Sequence, residues 1–535
     1  MAPYFGLKGG WLTFWVTVAC ATDMTLFGYD QGVFGGVVVT QDFLDTLNLD
    51  GKTTLISTVT AIYDIGCFFG AILAFMVGER LGRKKCVLLG TTIMSIGAII
   101  QTASFGVPEM IVGRVIGGLG NGINTATAPV WQGETSKASW RGKLIVIEMI
   151  LNIAGFSLSN WVTYGFSFVG GPVSWRFPIA FQFIFIFILF GTTPWLPESP
   201  RWLIARGRID EAEQILADLE SLSVDDPYVI TQSKDIQWAV NYERENAVRW
   251  RDLLRGRTGD QGGTCTIRRL VLGMGTQAMQ QLSGINVTSY YLPYVLINSV
   301  GLDNNLARLL AACNSVSYLL FSTIGIPNVE RWGRRKMMMY AAAGQSFCYL
   351  FITVCLRYSE PGLPNRKEWA SASIAFFFLY YVFFGIGCHL VYPTEVNSLS
   401  MRTKGAALGT ATNWIFNFMV VEITPPGIES LGWQFYIIWT VFNGAFVPIV
   451  YLFYPETADR SLEDLDRLFI ENHNIFIFRD KDAISSKRPV QYIEHEKEEI
   501  RRHSSIKPED VSGAIEAHRK EVLASQGHDE KIDIV

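Results

Sequence analysis

The sequence predicts an all-α polytopic membrane protein whose twelve transmembrane helices form two pseudo-symmetric six-helix bundles. Three observations carry the prediction. Composition is the first: 49% of the 535 residues are hydrophobic and 13% aromatic, and the mean hydropathy is +0.23, too apolar for a soluble chain of this length. The second is the recurrence of apolar runs of roughly twenty residues or more, the length that crosses a bilayer as a helix. They fall near 11–39, 56–78, 87–106, 108–130, 143–166 and 177–196, and again near 269–300, 305–327, 337–357, 370–393, 405–427 and 432–454. The third is an internal repeat of charged motifs.

Taken in order, residues 1–10 form a short N-terminal segment. No cleavable signal is expected, because Asp23 and Asp30 interrupt the first apolar run and no small-residue cleavage site follows a compact apolar core. That run reads as a retained first span, and residues 11–196 as the first bundle. Residues 197–268 are charged, and Ile209 to Leu216 has helical periodicity, so this stretch reads as a cytosolic helical linker. Residues 269–454 supply the second bundle. Residues 455–535 read as a cytosolic tail, largely disordered: after Glu463 the chain turns amphipathic and then strongly charged through Lys481 to Val535.

Lys and Arg in the short loops set the orientation. The loops after spans 2, 4, 8 and 10 hold thirteen, including Arg80, Lys84, Lys137, Arg335 and Lys404, against six on the opposite side, Lys52, Arg176, Arg308, Arg357, Arg366 and Lys367. The positive-inside rule therefore places both termini and the linker in the cytosol, and the protein in the cell membrane.

The repeat is read from the same loops. Gly78 to Lys85 (GERLGRKK) returns as Val329 to Lys336 (VERWGRRK), so that Glu330 follows Glu79 by 251 residues. Glu134 with Arg141 returns as Glu395 with Arg402, 261 residues on, and Pro197-Glu198-Ser199 returns as Pro455-Glu456-Thr457, 258 residues on. Motifs in one order at nearly one offset mean an internal duplication.

Several function classes are excluded. The net charge of −4 is confined to loops and tails, with no basic patch for nucleic acid. Seven of the eight cysteines lie in or beside apolar segments without metal-type spacing, so no disulfide framework, metal site or cofactor is expected. No paired nucleophile and base and no phosphate loop marks an enzyme. The expected partners are a small solute, protons and the lipid bilayer, with a monomeric functional unit.

The stretch Gln280 to Asn286 (QQLSGIN) stands out because it crowds amides and hydroxyls into a spanning run that hydrocarbon would reject. On an ideal helix Gln277, Gln281, Gly284 and Thr288 share one face, while Asn286 joins it only if the helix unwinds between Gly284 and Pro293. Amides both donate and accept, as a polyhydroxylated solute requires. Helix-to-helix hydrogen bonding, worth about 0.6 to 2 kcal/mol per contact, is the competing reading.

At these residues the chain resembles the sugar porter family of the major facilitator superfamily, over about residues 11 to 470. The resemblance rests on Phe27-Gly28-Tyr29-Asp30, the two Gly-Arg loops, Gly113-Arg114, Pro197 to Leu203, Gln280 to Asn286, and Pro455-Glu456-Thr457 with Arg460 to Glu463. Asn124 to Gln132, Ala411 to Trp414 and Tyr454 to Ala458 look closer to a fungal branch that includes the yeast glycerol–proton symporter and fungal pentose and hexose porters.

The resemblance implies the major facilitator fold and uptake of a sugar or polyol by alternating access, coupled to protons. It implies Asp30 as the protonatable group with Arg114 as the neighbour that tunes it; a permanent structural ion pair, with facilitated diffusion, is the alternative. It implies that Gln280, Gln281, Asn286, Tyr290 and Asn413 hold hydroxyls and that Trp414 offers a stacking face. It further implies that Glu79, Arg80, Glu134, Arg141, Glu198, Glu330, Arg331, Glu395, Arg402 and Glu456 form salt bridges between the halves that close the cytosolic side. Two departures matter. Met149, beside Glu148, stands where many hexose porters carry Gln in span 5, and His389-Leu390 replaces Pro-Trp in span 10. Glu148 and His389 are then candidate polar substitutes. A non-transporting nutrient sensor and an exporter of a secondary metabolite are the rival functions.

Overall fold

The computed structural model describes residues 3–136, 141–245, 265–387, 392–397, 401–458, 460, 462–471 and 474–485; some side chains inside helices, among them those of Arg141, Glu330, Arg331 and Arg402, are not described. Among the described residues every regular element is helical. Spans 1 to 6 are Gly9–Val37, Thr53–Leu81, Arg83–Thr102, Val107–Thr135, Arg141–Phe166 and the pair Val173–Ala180 with Phe183–Thr192. Spans 8 and 9 are Asn304–Trp332 and Arg334–Tyr358; span 10 is Arg366–Ile386 with Tyr392–Val396; spans 11 and 12 are Arg402–Leu431 and Phe435–Phe453. Span 7 runs as Thr266–Leu282, Ile285–Ser289, Leu292–Val295 and a π-helical turn over Leu296–Val300.

Eight helical stretches are long and apolar enough to cross a membrane, one of them, Lys404–Phe453, holding spans 11 and 12 together. Spans 1, 4 and 7 fall short on composition or continuity. They are the spans that carry Asp30, Arg114 and the glutamines. Burial against neighbouring helices, not contact with lipid, is what lets such polar helices persist.

Close packing is built on small residues. Gly70 of span 2 and Gly122 of span 4 meet so closely that a Cβ would lie 2.3 Å from the Leu119 carbonyl oxygen in one case and 2.2 Å from that of Cys67 in the other. In hydrocarbon there is no hydrophobic drive between helices, so such backbone approach is the main attraction. The two bundles meet along spans 2 and 11 and along spans 5 and 8.

The linker and the described part of the tail are folded onto the bundles. Linker helices Pro200–Ala205, Ile209–Glu220 and Pro227–Glu245 bury Leu203, Ile204, Ala212, Ile215, Leu219 and Val240 against Leu12 at the start of span 1, and Lys8 pairs with Asp218 at 3.0 Å. The described residues of the tail lie within 455–485, its amphipathic start; the charged stretch beyond lies outside the described residues. The amphipathic helix Leu462–Glu471 docks on the base of span 7, where buried Arg269 pairs with Asp466, lies 4.9 Å from the Phe469 ring and donates to the Val396 carbonyl at 2.6 Å. Leu465, Leu468, Ile477 and Ala483 form a small core of their own. The physical reason is amphipathicity: the apolar face of 462–471 has a surface to cover, which the charged composition of the whole tail conceals.

Candidate functional site

Span 7 stops being a regular helix where its sequence turns polar. Gly284 has φ +85°, a conformation that side chains with a Cβ resist, and a Cβ there would meet the Tyr349 hydroxyl at 2.7 Å. The carbonyls released by the break are taken up by side chains. Tyr349 donates to the Gly284 carbonyl at 2.8 Å, while Asn443 and Tyr380 donate to that of Ser283 at 2.9 and 3.1 Å. Buried backbone groups in a membrane protein must find such partners.

The unwinding brings Asn286 round to the glutamines, as the sequence requires for a single site. Asn413 of span 11 donates to Gln277 at 2.7 Å and to Gln280 at 3.1 Å, and accepts from Gln281 at 3.0 Å. Asn286 donates to Gln281 and, at 2.5 Å, to Asn417. All six amides are at least nine-tenths buried or packed into this network. Thr288, placed on the same face of an ideal helix, instead bonds back to the Ile285 carbonyl at 2.7 Å. The network satisfies itself amide to amide. A solute hydroxyl, which also donates and accepts, can replace any of these bonds one for one.

Asn417 is absent from the sequence-based site, although it lies four residues from Asn413 on one face of span 11. It leads across the molecule. Its Nδ2 donates to Asp64 of span 2 at 3.2 Å, and the Tyr290 hydroxyl donates to the same carboxylate oxygen at 3.3 Å. Tyr290 is thus seated between the acid and the Asn417 amide of the network. Asp64 is likewise absent from that site, although the signal was available: an ionisable residue in the middle of an apolar span.

Asp30 and Arg114 lie next to this point, both fully buried. The Arg114 guanidinium is stacked 3.7 Å from the Phe34 ring and 4.3 Å from the Tyr63 ring and donates to the Thr60 carbonyl at 2.9 Å. It is the electrostatic neighbour of both Asp30 and Asp64. Yet Nε and Nη1 of Arg114, Oδ1 of Asp30 and Oδ2 of Asp64 have no hydrogen-bond partner among the described residues. The simple pair of the sequence reading becomes one guanidinium facing two carboxylates.

Other candidates are placed elsewhere. Trp414 packs edge-on to Phe27 at 5.7 Å, among Tyr63, Cys67 and Ala71 of the first bundle, so its indole closes a contact between halves. Asp23, one face with Asp30 on span 1, accepts from Asn124 at 2.7 Å and neighbours Glu148, whose two oxygens have no hydrogen-bond partner among the described residues. Glu148 therefore sits between spans 1 and 5, away from the amides. Met149 is half-buried beside it, and His389 lies outside the described residues.

The charged loops form two matching corners. Arg83 pairs with Glu134 at 3.0 Å, Ser199 donates to Glu134 at 2.6 Å, and Glu198 accepts from the backbone N–H of Arg83 at 2.8 Å. In the second half Arg334 pairs with Glu395 at 2.8 Å, Thr457 donates to Glu395 at 2.6 Å, and Glu456 accepts from the N–H of Arg334 at 2.8 Å. These described pairs lie within a half, while Glu79 of the first half is an electrostatic neighbour of Lys404 of the second. Their arginines are Arg83 and Arg334, and Glu198 and Glu456 satisfy free N–H groups at the starts of spans 3 and 9. Glu79 and Arg80 are exposed.

Hydrogen bonds that do cross between the halves gather at the end opposite the linker and at mid-depth. Thr53 donates to Glu429, Thr58 to Glu422 at 2.7 Å, Asn304 to the Val39 carbonyl at 3.0 Å and Arg308 to Thr40 at 2.9 Å. These bonds join the two halves at that end.

Residues 15–469 match the family of sugar (and other) transporters. A protein of Aspergillus oryzae, the MFS-type transporter oryC, is 61% identical over 94% of this chain and 93% of its own. The sugar transporter STL1 of Saccharomyces cerevisiae is 35% identical over 87% of this chain and 83% of its own. Among solved structures, the proton:xylose symporter XylE bound to 6-bromo-6-deoxy-D-glucose matches with a TM-score of 0.71 and 23% identity, covering 86% of this chain and 99% of that one. The partially occluded inward-open form of XylE from E. coli matches with a TM-score of 0.68 and 22% identity, over 83% of this chain and 100% of that one. At such identity the likeness is one of fold, the major facilitator fold of two six-helix bundles.

Proposed function

The chain belongs to the sugar (and other) transporter family, and on that premise we propose that it takes up a sugar or polyol by alternating access, driven by proton symport. It is a multi-pass membrane transporter; the cell membrane as its location, with both termini and the linker cytosolic, is part of the proposal. The observation that carries the reading is the amide network of spans 7 and 11, joined through Asn417 to a buried carboxylate and thence to Arg114 and Asp30. Hydroxyls of the solute bind among Gln280, Gln281, Asn286 and Asn413. Asp30 carries the proton: with Arg114 close it stays charged, and when the two separate it gains a proton. The sugar transporter STL1 and the proton:xylose symporter support the same chemistry by likeness.

With the two halves joined at the end opposite the linker, this reads as an inward-facing arrangement in the proposed orientation. Cross-half pairing among Glu79, Arg80, Glu134, Arg141, Glu198, Glu330, Arg331, Glu395, Arg402 and Glu456 then belongs to the opposite, outward-facing state. Individually exposed pairs contribute about 0 to 1 kcal/mol, so only a network of them biases that state.

The test is labelled uptake in competition with glycerol, pentoses, hexoses, disaccharides and sugar acids, with and without a pH gradient. Uptake is expected to be inhibited by one polyhydroxylated class and abolished by an uncoupler. Asp30→Asn is expected to lose gradient-driven accumulation, and if it accumulates solute as the wild type does, the proton assignment is wrong.

A further inference from the structure

Asp64 lies near the middle of span 2 and is fully buried. Both hydrogen bonds to its Oδ1 come from the other half of the molecule, from Tyr290 at 3.3 Å and Asn417 at 3.2 Å, and its Oδ2 has none among the described residues. The charged and titratable groups around it are Asp30 of span 1, Tyr63 and Cys67 of its own span, Arg114 of span 4, and Tyr290 and Tyr291 of span 7. Arg114 is the cation in that set, and it faces two carboxylates. With both ionised, one negative charge is left over in a buried site where the Phe34 and Tyr63 rings pack on Arg114, and an uncompensated charge there is costly.

The leftover charge is shared here by the two donors from the second half. Those donors move away when the halves part at the end now joined, whereas Arg114 and Asp30 belong to the same half as Asp64. A small cation must then replace them, and a proton is the one that fits a buried carboxyl: hydronium gives its proton to Oδ2, forming an O–H bond and leaving water. On closure Tyr290 and Asn417 return to Oδ1 and the proton is released. Asn417 is also held by Asn286, which bonds Gln281, so a solute that takes over Asn286 alters the hold of Asn417 on the acid.

We propose that Asp64 is a second proton-holding carboxyl, and that Asn417 and Tyr290 make its proton occupancy depend on closure and on bound solute. This rests on the reading of the chain as a proton-coupled carrier of hydroxylated solutes. The test uses the full chain in proteoliposomes, with labelled glycerol, D-xylose and D-glucose each tried as probe. Counterflow without a gradient is compared with accumulation under an inward proton gradient.

Asp64→Asn is expected to lower accumulation about tenfold more than counterflow, the factor that corresponds to one unit of proton affinity, and Asp64→Glu to restore it in part. Equal effects on both, with wild-type coupling intact, overturn the role of Asp64 and leave the proposed function standing. Wild-type protein that shows no gradient dependence with any probe overturns both. If Asp64→Asn loses counterflow as well, Tyr290→Phe decides, since it removes one donor and keeps the carboxyl. A displaced pH midpoint of accumulation supports the proposal, and an unmoved one overturns it.

Discussion

The two halves of this molecule share a scaffold and differ in what they bury. Their corners are near copies: Glu134 with Arg83 and Glu198 over one helix start, Glu395 with Arg334 and Glu456 over the other, with ion pairs of 3.0 and 2.8 Å and a capping bond of 2.8 Å in both. Inside, the first half buries Asp23, Asp30, Asp64, Arg114 and Glu148 within its spans, whereas the second gathers the amides Gln277, Gln280, Gln281, Asn286, Asn413 and Asn417 into one network. Span 1 is one continuous helix of 29 residues, while its counterpart, span 7, is broken at Gly284. After duplication, then, the corners of the two bundles stayed alike while their interiors came to differ, and in the function proposed above the first interior handles the proton and the second the solute. Charges need a continuous, well-packed helix to keep them in place; amides that must wrap a solute gain from a helix that unwinds.

This division makes predictions that would undo it if they failed. The largest effect is expected from Arg114→Ala, which leaves two buried carboxylates without a cation. Loss of a partner from a buried charge site costs about 3 to 5 kcal/mol. Gradient-driven accumulation should collapse, by a larger factor than any change in KM for the solute, and transport assays at saturating solute would show it. Should KM rise while coupling survived, the charges would belong to the solute side.

A smaller and opposite pattern is expected from Asn413→Ala. It strips partners from Gln277, Gln280 and Gln281, and a lost hydrogen bond of about 1 to 2 kcal/mol corresponds to roughly a five- to thirtyfold rise in KM. The accumulation ratio at saturating solute should change far less. Uptake kinetics measured across pH would separate the two quantities.

The smallest effects are expected at the corners, where Glu198→Gln and Glu456→Gln each weaken the capping of one helix start. Losses of about 1 kcal/mol are typical of such caps. The two variants should lower thermal stability by similar amounts, read by thermal unfolding in detergent. A marked inequality would mean that one corner has taken on a task the other lacks.

Much of the architecture was legible because it is written in local properties. Apolar runs gave nine of the spans directly, and the repeat of Glu-x-x-Gly-Arg type loops gave the pairing of halves. Spans 1, 4 and 7 were recovered despite poor apolarity, because Asp30, Arg114 and Gln280 each interrupt a run of spanning length. Gly284 and Pro293 announced the unwinding that brings Asn286 to Gln281. Less legible was the docking of Leu462–Glu471, since a short amphipathic helix is hidden by the strongly charged residues C-terminal to it.

Composition and order, by themselves, pointed to a duplicated, twelve-span carrier with a cluster of amides in span 7 and intramembrane charges at Asp30 and Arg114. They did so because bilayer thickness and the cost of buried polarity act on each helix separately. Which polar groups meet was decided by the tertiary structure alone. Asp64 and Asn417 are 353 residues apart and touch only because spans 2 and 11 pack across the interface. Trp414 packs on the first bundle, and Arg83 and Arg334 pair with Glu134 and Glu395, because the rotation of a helix and the partners at its end follow from packing, which no stretch of sequence specifies on its own.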